Sequence, residues 1–112
     1  MFIHLENQFF NIKNCLYFEY KSDCLILEFQ GTLNTKVKQS IEEYKEFIEF
    51  IKEHQKILNI RMIDSFVGIN LEKICGFFMK DHEVCFQFND GLIKTFSSIE
   101  FEDVKKIIEQ EL

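Results

Sequence analysis

The chain has 112 residues, a formal net charge of −6, 46% hydrophobic and 29% charged residues, 14 Phe and no Pro. That much apolar surface in a single domain's length excludes a disordered polyelectrolyte, and the acidic balance argues against generic attraction to phosphate backbones or anionic lipid. No run approaches the roughly 18 apolar residues of a membrane-spanning helix, and the start Phe2-Ile3-His4-Leu5 has neither the basic nor the apolar region of a secretory signal, so a cytoplasmic protein is expected.

Alternation and turn chemistry predict a first strand from Phe2 to Leu5 and a second from about Phe9 to Tyr20, broken near Asn11 to Asn14 because Asn is disfavoured inside strands. Parity places a two-residue loop at Ser22-Asp23, which sets Tyr20 against Leu25, Phe18 against Leu27 and Leu16 against Phe29 on one apolar face. A third strand, Cys24 to Phe29, and a fourth, Leu33 to Val37, lead to a helix from Ile41 to about His54. Its start is marked by the capping box Ser40-x-x-Glu43, and its apolar stripe is Tyr44, Phe47, Ile48 and Ile51.

The remainder repeats the order. Strands are predicted at Ile60 to Ile63, Phe66 to Met79 with a break at Asn70 to Lys73, Val84 to Phe88 and Leu92 to Phe96, with tight turns at Asp81-His82 and Asn89-Asp90-Gly91. The Asp81-His82 loop sets Met79 against Val84, Phe77 against Phe86 and Cys75 against Phe88. A second capping box, Ser97-x-x-Glu100, opens a helix carrying Phe101, Val104, Ile107 and Ile108 to the C-terminus. A shift of 59 residues lays Asn11 on Asn70, Phe18 on Phe77, Lys21 on Lys80 and Phe29 on Phe88. The expected architecture is therefore α+β. Two tandem β-β-β-β-α half-repeats, residues 1–58 and 59–112, form a single domain of residues 1–112 and share one core.

No residues assemble a familiar reaction centre. His4, His54 and His82 share no metal-ligand spacing, the single glycines form no phosphate loop, and Cys15, Cys24, Cys75 and Cys85 sit in hydrophobic runs without a Cys-x-x-Cys pair. No catalytic residue, metal or cofactor is expected, and the cysteines read as buried thiols.

Two surfaces stand out. Glu42, Glu46, Glu49 and Glu53 stack into one acidic ridge opposite the helix's apolar stripe. The second face of the paired strands, with Tyr17 in one half and Phe78 in the other, is too apolar to be fully wet, and Phe50 extends the same kind of patch. These seven residues are the expected partner-binding set. The absence of Ala and the 12 Lys against one Arg indicate AT-rich codons. Together these features predict a non-enzymatic, protein-binding inhibitor or regulator from a phage or other mobile element. Its acidic surface would meet a basic groove on a protein partner, the other half of the chain or a homodimer would cover the mixed face, and nucleic acid would be an unfavoured partner.

Two units of four strands and a helix resemble, in element order, the Whirly and PUR-repeat nucleic-acid binders. That resemblance implies the alternative function, single-stranded nucleic-acid binding by aromatic residues on a sheet.

Overall fold

A computed structural model describes residues 2–5, 7–31, 34–97 and 99–111 of the chain. The architecture is α+β: the described residues form ten strands in three antiparallel sheets, with two α-helices. The chain divides into two compact units, Met1–Glu72 and Lys73–Leu112.

In the first unit, β1 (Phe2–Leu5) and β2 (Gln8–Asn11) form a hairpin. β3 (Cys15–Lys21), β4 (Cys24–Phe29), β5 (Asn34–Lys38), β6 (Ile57–Arg61) and β7 (Phe66–Asn70) make a five-stranded sheet in the order β5-β4-β3-β7-β6. The helix α1 (Ile41–His54) follows β5, and its capping box is present as expected. Ser40 Oγ accepts from the Glu43 amide at 3.2 Å while Glu43 Oε1 accepts from the Ser40 amide at 3.0 Å. Tyr44, Phe47 and Ile51 pack on Phe18, Tyr20, Leu25, Leu27 and Val37 as one buried cluster, with the Tyr20 and Tyr44 rings stacked at 4.3 Å. The ring of Phe18 lies so close over β7 that a Cβ at Gly68 would fall inside it, so glycine is required there by approach rather than by φ.

In the second unit, β8 (Ile74–Lys80), β9 (Glu83–Phe88) and β10 (Ile93–Phe96) form a three-stranded sheet in the order β10-β9-β8, followed by α2 (Phe101–Glu111). Phe86 anchors its core, with Phe77 at 6.2 Å and Phe96 at 5.9 Å, while Phe77 also meets Phe101 of α2 at 5.0 Å.

The expected breaks near Asn11 and Asn70 are 3-10 turns, Ile12–Asn14 and Leu71–Lys73. Each asparagine ends a strand and accepts, through its side-chain oxygen, the amide two residues on: Lys13 at 3.1 Å and Glu72 at 3.1 Å. Asn70 does more. It is 1% exposed, and its amide nitrogen donates to the Cys15 carbonyl at 2.9 Å and to Gln55 Oε1 at 3.2 Å.

Three expectations are corrected. A bulge after Cys15 pairs Cys15, not Leu16, with Phe29, and a matching bulge after Ile74 pairs Ile74, not Cys75, with Phe88. The strand expected at Ile60 to Ile63 is β6, Ile57–Arg61, because the Met62 amide donates to the Ser65 carbonyl at 2.8 Å and turns the chain there. α2 does not begin directly after Ser97, as the capping box implies, but at Phe101, with the Val104 amide bonded to the Glu100 carbonyl at 3.3 Å. β7 pairs with β3, which joins β6 and β7 to the sheet of β3, β4 and β5. The predicted start of the fourth strand at Leu33 lies outside the described residues.

Two outcomes test this packing. Asn70→Ala strands the Cys15 carbonyl, Gln55 Oε1 and the Glu72 amide, and is expected to lower stability by about 3 kcal/mol, read as a lower urea midpoint with an unchanged slope. Cys15 is 2% exposed, and burial pushes its thiol up from 9.0 to about 12. The unfolded chain therefore loses that proton first, and the Cys15 contribution to stability declines as pH climbs from 9.0 toward 12. At about pH 8 a thiol reagent should label exposed Cys75 first, half-buried Cys24 more slowly, and buried Cys15 and Cys85 only after unfolding, as read by mass spectrometry.

Candidate nucleic-acid interface

Strand parity divides the charge of the first unit between the two faces of its large sheet. Residues paired across strands share a face, so the side that α1 covers carries Val37, Leu25, Leu27, Phe18, Tyr20 and Gly68. The other side is built of three cross-strand rows. At one end stand Lys38, Cys24 and Lys21; next come Lys36, Ile26, Glu19, Val67 and Ile60; then Asn34, Glu28, Tyr17, Ile69 and Leu58. Lys21, Lys36 and Lys38 are exposed. Lys21 and Lys36 thus belong to the face opposite α1, while Lys38, at the border strand, also lines a groove with Glu42 and Glu43 of the α1 first turn.

The end row is held by specific contacts. Ser22 and Asp23 both adopt left-handed backbone, at φ 52° and 59°, which gives the tight hairpin whose twist matches its strands. The Tyr20 hydroxyl reaches Asp23 Oδ1 at 3.2 Å and the Gln39 carbonyl at 3.0 Å, and the Gln39 amide donates to the Asp23 carbonyl at 2.9 Å. Burial, together with the bond to Asp23, raises the Tyr20 pKa, so the hydroxyl keeps its proton and remains a donor. Lys21 Nζ lies 3.2 Å from Asp64 Oδ2, tying the β3–β4 hairpin to the β6–β7 loop. Arg61, at the end of β6, places its guanidinium over the Phe66 ring at 5.9 Å. Lys21 and Lys38 thus stand at the hairpin end of one face, with Lys36 one row further along it beside Glu19, whereas Arg61, in the row of Phe66 and Tyr20, stands at the same end on the face that α1 covers.

The seven residues expected to bind a partner do not form one surface. Glu42, Glu46, Glu49 and Glu53 are exposed along α1, as the helical spacing implies. Phe50 is half-buried against the core of the first unit, with its ring 4.8 Å from that of His54. Tyr17 is buried on the opposite face of the sheet from α1, and Phe78 lies in β8 of the other unit, 37% exposed. Beside the N-terminus of α1, a groove of about 620 Å³ is lined by Asp23, Lys38, Gln39, Ser40, Ile41, Glu42 and Glu43. Three carboxylates against one lysine make it a poor site for phosphate. Among the described residues no group of three or more His, Cys, Asp or Glu is arranged to hold a metal ion, and no helix is long and apolar enough to cross a membrane.

The lysine face was missed in the sequence because net charge averages over it. Its signal is the alternation Lys36-Val37-Lys38, which places two lysines on one side of a strand whose other side is core.

No protein-family model matches the chain, and no curated protein matches it. A solved structure does: the LytTr DNA-binding domain of a response regulator from Bacillus cereus, with a TM-score of 0.61, 15% sequence identity, and coverage of 96% of this chain and 94% of that one. This likeness overturns the reading of the chain as a protein-binding inhibitor or regulator from a mobile element, and with it the basic-grooved protein partner and the disfavouring of nucleic acid. It does not match the Whirly and PUR-like alternative either. At this identity the likeness establishes a shared fold, and the chain has the fold of a LytTr DNA-binding domain.

Proposed function

We propose that this protein binds double-stranded DNA without catalysing a reaction on it, and that contact is made through the hairpin end of the five-stranded sheet, where Lys21, Lys36 and Lys38 share one face and Arg61 stands on the other. The observation that carries this reading is the fold likeness to a LytTr DNA-binding domain over 96% of the chain. The charge layout supports it. A net charge of −6 opposes DNA only where the carboxylates face it; Glu46, Glu49 and Glu53 of the ridge belong to α1 behind the sheet, and at the hairpin end the lysine row itself is Lys38, Cys24 and Lys21, with Glu19 and Glu28 further along that face. Two hairpin tips project from that end, and a two-stranded ribbon is narrow enough to enter a major groove. The lysines would neutralise backbone phosphates as point charges, while Arg61 can present a planar donor fork.

The test is fluorescence anisotropy of a pool of random-sequence duplexes at about 50 mM salt, followed by a salt titration. Duplex should bind, and log K should fall with log salt with a slope of about −0.9 per phosphate neutralised. Arg61→Ala and Lys36→Ala should each weaken binding across all sequences and flatten that slope by about 1. The four-glutamate variant Glu42→Gln, Glu46→Gln, Glu49→Gln, Glu53→Gln should bind with the same slope. Duplex that fails to bind at low salt would remove the proposal.

A further inference from the structure

The loop that joins β6 to β7 has an unusual apex. The Met62 amide bonded to the Ser65 carbonyl leaves two residues at the tip, Ile63 and Asp64. Such tips are normally Gly, Asn, Asp or Ser, which favour the turn and tolerate water. Ile63 is β-branched, does nothing for the turn, and is 102% exposed, the most exposed of the large hydrophobic residues. Isolated apolar residues on a helix or strand face are ordinary, but this one stands at the point of a hairpin and packs on nothing.

Its surroundings fix both its position and its charge environment. Asp64 beside it is paired with Lys21 at 3.2 Å, which neutralises the one carboxylate at the tip and holds the tip against the lysine row. Arg61 precedes it by two residues, its guanidinium over the Phe66 ring on the α1 side of the sheet. The result is an apolar point with a guanidinium on one flank and a compensated ion pair on the other. Such a point suits a surface that is anionic at its rims and apolar at its floor. The major groove of DNA has this character where thymine presents its C5-methyl group between two phosphate backbones.

We infer that Ile63 is a specificity-determining residue that reads the C5-methyl group of thymine in the major groove while Arg61 meets a flanking phosphate, an inference that rests on the DNA-binding reading above. The chemistry is dispersion and water exclusion between two alkyl groups, so it discriminates thymine from any base lacking that methyl. No donor or acceptor is required of the tip.

The experiment uses the full chain and a duplex recovered from a random pool by repeated retention and amplification. Each thymine is then replaced singly by deoxyuridine, which deletes one methyl and leaves the hydrogen-bonding edge unchanged. One or two thymines should lose about three- to fivefold in affinity on losing the methyl. Ile63→Ala should lose a similar factor on the thymine duplex and should bind thymine and deoxyuridine duplexes equally. Because Ile63 buries nothing, Ile63→Ala should keep the wild-type urea midpoint, and Ile63→Val should retain part of the discrimination. Indifference of the wild type to every deoxyuridine, or Ile63→Ala still preferring thymine, would overturn the inference and leave DNA binding standing. Recovery of no duplex at all would overturn both.

Discussion

The amide of Asn70 is the constraint on which the first unit depends. It is enclosed where three segments far apart in sequence converge: the start of β3, the residue that follows α1, and the turn that follows β7. The first two present buried polar groups that must find partners, and the third a partly buried amide. Asn70 answers all three, giving its two hydrogens to the Cys15 carbonyl and Gln55 Oε1 and taking the Glu72 amide on its oxygen. Within hydrogen-bonding geometry no other neutral side chain of that length supplies two donors and an acceptor. The pairing of β7 with β3, and hence the continuity of the five-stranded sheet that carries the lysines, is fixed at this point.

Much of the local structure was legible in the sequence because local physics decides it. Parity placed both two-residue turns, since a slip of one residue would have turned every apolar side chain to the wrong face. Ser40 and Glu43 located α1 to the residue. What was not legible was of two kinds. The bulges after Cys15 and Ile74 shift register by one residue and leave no mark in a pattern that is apolar on both faces. The pairing of β7 with β3 joins segments some fifty residues apart, and alternation records which face is buried without recording which strand lies alongside. The 3-10 turns, the strands after them and the strands after those begin at 12, 15 and 24 and again at 71, 74 and 83. This interval supports the internal duplication, which we retain as a proposal.

The candidate site was less legible, and the reason is electrostatic. A sum over the chain treats charges as if they shared one surface, whereas a sheet with a helix on one side separates them. The acidic ridge was found because four glutamates on one helix face are visible as a spacing. The lysine face was not, because it is assembled from β3 and β5, with Cys24 and Ile26 of β4 between them. Tyr17 shows the converse error, since an aromatic residue on the second face of a strand reads as a surface patch until its burial is known. The fold likeness itself lies at 15% identity, where no motif carries it.

The lysines of β5 have a second consequence. β5 is the outermost strand of its sheet, and an outermost strand offers unpaired amides and carbonyls to any other extended chain. Lys36 and Lys38, projecting side by side from that border, make a second strand unwelcome by forcing ammonium groups into its path. The same two charges thus stand between the protein and its own aggregation. A lineage that gave them up would have to guard that border by other means, such as a proline, a bulge or a covering segment.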